Sequence, residues 1–220
     1  MSRSCCEATD SAFTSSEARH EARQYRRRGP AAQTREILHA IRSFGLKRAT
    51  LLDIGGGVGA IHHELLQDVA GTAVHVDASS AYLEEARTET ARRGHSERVT
   101  FVHADFTDVV PDLAEADIVT LDRVVCCYPD FESLLTAAAG RARRLLAMSY
   151  PRDTWYLRLG LAVLNFFLGF RREPFRSYLH PVMAMDTLLR GQGLHRTSLR
   201  RLFVWEVAVY RRESQAGDGG

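Results

Sequence analysis

A chain of 220 residues with 45% hydrophobic content is long enough for one well-buried domain with a short appendage, and its composition is that of a globular protein. The 29 basic residues are spread among 27 acids for a net charge of +2, which argues against nucleic acid as a partner. Four cysteines in two adjacent pairs, Cys5-Cys6 and Cys126-Cys127, lack metal-ligand spacing and follow no secretory signal, so reduced thiols, no bound metal and a cytoplasmic location are expected.

Residues 1–15 are small and polar and are expected to be disordered. Ser15 or Ser16 then caps a polar helix over 17–28, stopped by Gly29 and Pro30, with Arg26-Arg27-Arg28 at its negative dipole end. A second helix over 31–44 sets Ile37, Leu38, Ile41 and Phe44 on one stripe and stops at Gly45. These two make an N-terminal helical unit, 16–45, ahead of a domain expected over 46–213.

The next stretch organises the chain. Leu51-Leu52-Asp53-Ile54 reads as a buried strand that runs into Gly55-Gly56-Gly57-Val58-Gly59, and Ala60, Ile61, Leu65, Leu66 and Val69 follow at helical spacing. A glycine turn between strand and helix frees backbone N–H groups near a positive helix end, so the ligand should carry an anionic group. Two cofactors fit. Gly55, Gly57 and Ala60 satisfy the dinucleotide fingerprint, with Asp77 placed 17 residues further on for a ribose, which is the reading of an NAD-dependent oxidoreductase. The same loop also reads as Asp53-x-Gly55-x-Gly57-x-Gly59, with an acid that a pyrophosphate would not need.

A second strand over 72–76 ends at Asp77, and Ser79 or Ser80 starts a helix to about 94. Asp77 stands at a strand's carboxyl end, where open α/β sheets bind ligands, and its carboxylate can accept from both ribose hydroxyls. A third strand over 98–103 delivers Asp105-Phe106, and a fourth over 117–121 opens into Asp122-Arg123-Val124-Val125-Cys126-Cys127-Tyr128-Pro129. Asp130 caps a helix holding Phe131, Leu134, Leu135 and Ala138, and a fifth strand spans 144–149. Strands alternating with helices predict a parallel sheet. A helix over 181–192 and two runs, 194–200 and 203–210, finish the pattern, and so short a link makes the last pair antiparallel. Residues 214–220 are expected to be a flexible tail.

The Asp53 to Gly59 spacing, the acids after three successive strands and the closing hairpin resemble the class I S-adenosylmethionine (SAM) dependent methyltransferases over about 51–210. The resemblance implies a Rossmann-like α/β fold: a seven-stranded sheet, mostly parallel, with a C-terminal antiparallel hairpin and helices on both faces. It implies SAM as cofactor, with Asp53, Gly55, Gly57 and Gly59 at its methionine end, Asp77 at the ribose, Asp105 and Phe106 flanking adenine, and Asp122 opening the loop that faces the reactive methyl. It also implies that the N-terminal helices fold over the cofactor as a lid.

One insertion, 152–179, is the expected substrate cover. Asp153 caps a helix in which Trp155, Leu159, Ala162, Val163, Phe166 and Phe167 are apolar, and Arg171-Arg172, Phe175, Arg176 and Tyr178 follow. That helix either packs on the core or forms a greasy pocket or a peripheral membrane contact over 155–170, too short to span a bilayer. In-line methyl transfer depends chiefly on positioning, and a base is needed only for a protonated acceptor. His180 and Tyr128 border the expected methyl position and are the catalytic candidates. Tyr128-Pro129 and Arg176-Ser177-Tyr178-Leu179-His180 locally resemble magnesium-protoporphyrin O-methyltransferases, which implies a porphyrin carboxylate among the acceptors, its propionates held by Arg152, Arg171, Arg172 or Arg176. The N-terminal part lacks the aromatic motifs of that subfamily. The expectation is a methyltransferase acting on a small, lipophilic or aromatic acceptor, against an oxidoreductase or a SAM-fold subunit without turnover.

Overall fold

A computed structural model describes residues 14–170 and 177–213. The expectations for residues 1–13, for Arg171, Arg172, Phe175 and Arg176, and for the tail 214–220 lie outside the described residues.

Helix α1 (Ser15–Arg28) is capped by Thr14 and not by either serine. The Thr14 side chain accepts from the Glu17 N–H at 3.3 Å while the Glu17 carboxylate accepts from the Thr14 N–H at 2.9 Å. Neither serine has an acid three residues on to complete such a reciprocal box, so helical order starts within the stretch expected to be loose. Helix α2 (Ala32–Arg42) buries Ile37, Leu38 and Ile41, as its stripe predicted.

The alternating part runs β1 (Ala49–Ile54), α3 (Ala60–Leu65), β2 (Ala70–Asp77), α4 (Ser80–Arg92), β3 (Val99–His103), α5 (Phe106–Val109), β4 (Ala116–Asp122), α6 (Phe131–Arg141) and β5 (Ala142–Pro151). After it come α7 (Trp155–Phe170), α8 (Val182–Gly191), β6 (Leu194–Arg201) and β7 (Trp205–Arg212). All strands join one sheet in the order β3-β2-β1-β4-β5-β7-β6. β1 to β5 pair in parallel and β7 runs antiparallel to both its neighbours, the mixed architecture the alternation and the closing hairpin predicted. β7 starts two residues later than expected because the Leu202 N–H bonds the Trp205 carbonyl, which leaves Phe203 at the hairpin tip.

Because parallel strands need a crossover each, helices cover both faces. One face packs Ile37, Ile41 and Leu65 against Leu51 and Ile118; the other packs Leu134, Leu135 and Leu189 against Val119, Leu146 and Ala208. The order reverses beside β1, since β2 and β4 flank it on opposite sides, and this switch point opens a crevice at the strands' carboxyl ends.

One expectation here needs correction. Asp153 pairs with Arg158, Oδ1 to Nε at 2.6 Å, where a capping role was expected: a forked guanidinium satisfies both carboxylate oxygens at once. Arg26, expected at the negative dipole end of α1, also reaches Glu89 on α4 at 2.8 Å.

Candidate functional site

The crevice holds two adjoining cavities. A smaller one of about 290 Å³ lies over β1, β2 and β4, lined by Ile54, Val76, Phe106 and Val124 with Asp77 and Asp105 at its rim. A larger one of about 630 Å³ lies between the glycine turn and the two N-terminal helices. Glu21, Gly55, Gly57, Tyr82, Asp122 and Arg123 line both.

The turn has the shape its glycines allow. Gly55, Gly57 and Gly59 take φ of 59°, 56° and 82°, in the left-handed region that disfavours side chains. A Cβ on Gly57 would meet only the Tyr82 ring, at 3.8 Å, so the backbone here stands open to the cavity. Asp77 braces the turn from β2: its Oδ2 accepts from the Gly57 N–H at 2.8 Å and its Oδ1 from the Ser79 N–H at 2.8 Å. Burial pushes its carboxyl up to about 6, against the pull of those two N–H groups.

Asp53 is buried beneath the turn, with Oδ1 accepting from Thr120 Oγ1 at 2.8 Å and Oδ2 from His62 Nδ1 at 3.2 Å. His75 Nδ1 lies 3.2 Å from the same His62 nitrogen, and burial followed by the neighbouring His62 lowers His75 to about 3, which keeps the ring neutral. Their ligand-type atoms all fall within 4.8 Å of one another, a grouping absent from the sequence reading, which anticipated no metal ligands. Cβ atoms on Gly56 and Gly59 would come within 2.8 Å of these rings, so both glycines make room for imidazoles, and Gly56 also lines the larger cavity.

Asp105 caps α5 by accepting from Thr107 N at 3.0 Å, and it also takes the Tyr128 hydroxyl. Phe106 is buried in the core and forms part of the cavity wall. Asp122, at the end of β4, accepts from Ser149 Oγ and from Thr34 Oγ1 of α2, each at 2.5 Å, and burial raises its carboxyl. His180 donates from Nε2 to the carbonyls of Val125 and Tyr128 at 3.1 and 2.8 Å, so any proton it accepts goes to Nδ1; burial lowers its pKa. The structure therefore gathers Asp53, Gly55, Gly57, Asp77, Asp105, Phe106 and Asp122 at one crevice, while Gly59 lines neither cavity and His180 sits behind the loop whose carbonyls it binds. Cys126 and Cys127, with sulfurs 4.0 Å apart, line the smaller cavity, and the Cys127 thiol lowers the Cys126 pKa.

Sequence reasoning missed three contributors. Glu21 of α1 pairs with Arg123 and accepts from the Tyr82 hydroxyl at 2.7 Å, which ties the first helix across the crevice. Thr34 and the His62–His75 pair were equally invisible, because a period of 3.6 marks which face is buried and not which partner lies beneath it.

Residues 51–147 match the family model described as a methyltransferase domain. That match covers less than half of the chain, and the fold around it is the one that solved SAM-dependent methyltransferases share. SAM is the cofactor of the methyltransferase family that this model describes. Over 81 residues the chain is 36% identical to a 3-amino-4-hydroxybenzoate 4-O-methyltransferase of Streptomyces cremeus, a match covering 36% of this chain. It spans about a fifth of the length of that curated relative, 21%. Among solved structures, magnesium protoporphyrin IX methyltransferase from Synechocystis PCC 6803 with bound SAH superposes with a TM-score of 0.67 at 22% identity, covering 82% of this chain and 81% of that one. An O-methyltransferase family 2 protein from Planctomyces limnophilus DSM 3776, in complex with apigenin, gives 0.65 at 16% identity over 96% and 65% of the two chains. At these identities the likeness is one of fold.

Proposed function

We propose that this protein transfers a methyl group from SAM to a small lipophilic or aromatic acceptor. The observation that carries the reading is the convergence of Asp53, Asp77 and Asp105 around a left-handed glycine turn at the sheet's switch point. The residues fit the cofactor's chemistry. Asp77 offers a buried carboxylate to a ribose, the apolar walls Ile54, Val76 and Val124 suit adenine beside Asp105, and the open backbone at Gly57 suits the methionine end. Bound SAM supplies a sulfonium methyl that passes to a nucleophile and leaves a thioether. The chain's own residues position and shield: Asp77 and Asp105 fix the adenosine end, and Asp53 acts through the turn it underlies.

We put the acceptor beside Cys127 and Trp205, which line the same cavity, since the Tyr128 hydroxyl is taken by Asp105 at the adenine end. An aromatic oxygen acid is favoured by the Streptomyces cremeus relative's printed activity; a porphyrin carboxylate is supported by the Synechocystis fold neighbour and the Tyr128-Pro129 and Tyr178 to His180 pieces. The test is calorimetric titration with SAM, with NAD in parallel and Asp77→Ala as control, followed by labelled methyl transfer to hydroxybenzoates and porphyrins. SAM binding lost in the variant, with labelled product, is the expected result. SAM binding without product from any acceptor would move the protein to a binding subunit, and no SAM binding by folded protein would sink the reading.

A further inference from the structure

Six large apolar side chains stand exposed among the described residues: Trp155, Leu159, Val163, Phe166, Phe203 and Met183. Four of them follow one another along α7 at spacings of four, four and three, which is a single face of a helix. Phe203 continues that face. Tyr156 stacks on its ring at 6.0 Å and meets Trp155 edge-on at 5.9 Å, and the Tyr156 hydroxyl donates to the Phe203 carbonyl at 3.3 Å. The apolar surface thus runs from the helix to the tip of the β6–β7 hairpin, two residues short of Trp205, which lines the smaller cavity. Exposed at 71–80%, Trp155, Phe166 and Phe203 are costly in water unless something covers them.

Charge indicates what covers them. Beside this surface, the described residues 152–170 and 200–206 contain Arg152, Arg158, Arg200 and Arg201 against Asp153 and Glu206, a net +2, and α7 itself has no acid. A helix with an aromatic and aliphatic stripe, flanked by arginines, has the chemistry of a segment that lies in the interface of an anionic bilayer. No helix among the described residues is long and apolar enough to cross a membrane, which leaves the in-plane geometry.

We propose that α7 and the β6–β7 hairpin tip dock the protein on an anionic lipid surface, with Trp155, Leu159, Val163, Phe166 and Phe203 entering the headgroup boundary. Docked this way, the cavity opens beside the lipid at Trp205, where an apolar acceptor can enter without crossing water. The docking is a binding property, independent of whether methyl transfer occurs.

The experiment is co-sedimentation of the full chain with vesicles of phosphatidylcholine plus phosphatidylserine, against phosphatidylcholine alone. Binding to the anionic vesicles is expected, weakened about tenfold or more by Leu159→Glu with Phe166→Glu, and likewise by Arg158→Glu with Arg200→Glu. Thermal melts matching the parent protein would show that both double variants fold. Failure of the parent protein to bind anionic vesicles, or undiminished binding by both variants, overturns the proposal. A dimer that Leu159→Glu with Phe166→Glu converts to monomer, without vesicle binding, overturns it in favour of a second copy as the occupant.

Discussion

His62 donates from Nδ1 to Oδ2 of Asp53 across 3.2 Å, with both side chains almost wholly buried beneath the glycine turn. The Asp53 carboxylate is therefore held by the protein itself, with Thr120 on its other oxygen. A carboxyl so enclosed depends on every donor it has.

Replacing His62 by Phe keeps a ring in place and deletes the donor. The variant should lose about 1–3 kcal/mol in denaturant unfolding, the cost of leaving a buried acceptor unsatisfied, and bind SAM more weakly because the turn above loses its support. Unchanged unfolding together with unchanged calorimetric affinity would mean that Asp53 does not rely on this contact.

The glycines should rank by what lies beneath them. A Cβ on Gly59 would sit 2.3 Å from the His62 ring at a φ of +82°, so Gly59→Ala combines a clash with backbone strain. At Gly57 only the strain applies, about 1–2 kcal/mol, because the nearest atom is 3.8 Å away. Thermal melts should place Gly59→Ala well below Gly57→Ala, while Gly57→Ala suffers in SAM titration by crowding the cavity. The reverse order of melting would refute this account of the turn.

Binding and stability should depend on pH in opposite senses through Asp77. Its ionised form is the one that accepts from two hydroxyls, so SAM affinity should rise as pH increases through about 6 and then level off. In the unliganded protein the raised pKa means that the fold holds this proton more tightly than the unfolded chain does. That contribution, at most about 3 kcal/mol, is complete below the ordinary value of 3.8 and lost as pH rises through about 6. Asp77→Asn should flatten both curves, and a variant that kept the parent's pH profile for SAM binding would exclude Asp77 as its source.

The first helix should loosen when its latch is cut. Glu21 meets Arg123 and Tyr82 in the wall shared by the two cavities, but α1 is also held by Tyr25 on Glu64 and Arg26 on Glu89. Because the latch is partly exposed, Glu21→Gln should weaken SAM binding only about two- to fivefold, and it should speed tryptic cleavage within 19–28. Equal cleavage rates in variant and parent would show that the other anchors suffice.

The sequence by itself determined the sheet and the turn. Alternating strand and helix periods fixed five parallel strands, a short link between the last two runs fixed their antiparallel pairing, and Asp53, Gly55, Gly57, Gly59, Asp77 and Asp105 announced a crevice ligand, because backbone freedom and strand-end carboxylates are local properties. Only the tertiary structure decided the partners. Glu21 and Arg123 lie 102 residues apart, Thr34 and Asp122 lie 88 apart, and nothing in either segment encodes the other. The same limit hid the imidazoles: His62 and His75 read as ordinary members of a helix and a strand until the fold set them under Gly56 and Gly59. Whether the α7 stripe faced the core or solvent was undecidable for the same reason, since periodicity defines an apolar face while the packing of the other elements decides what, if anything, covers it.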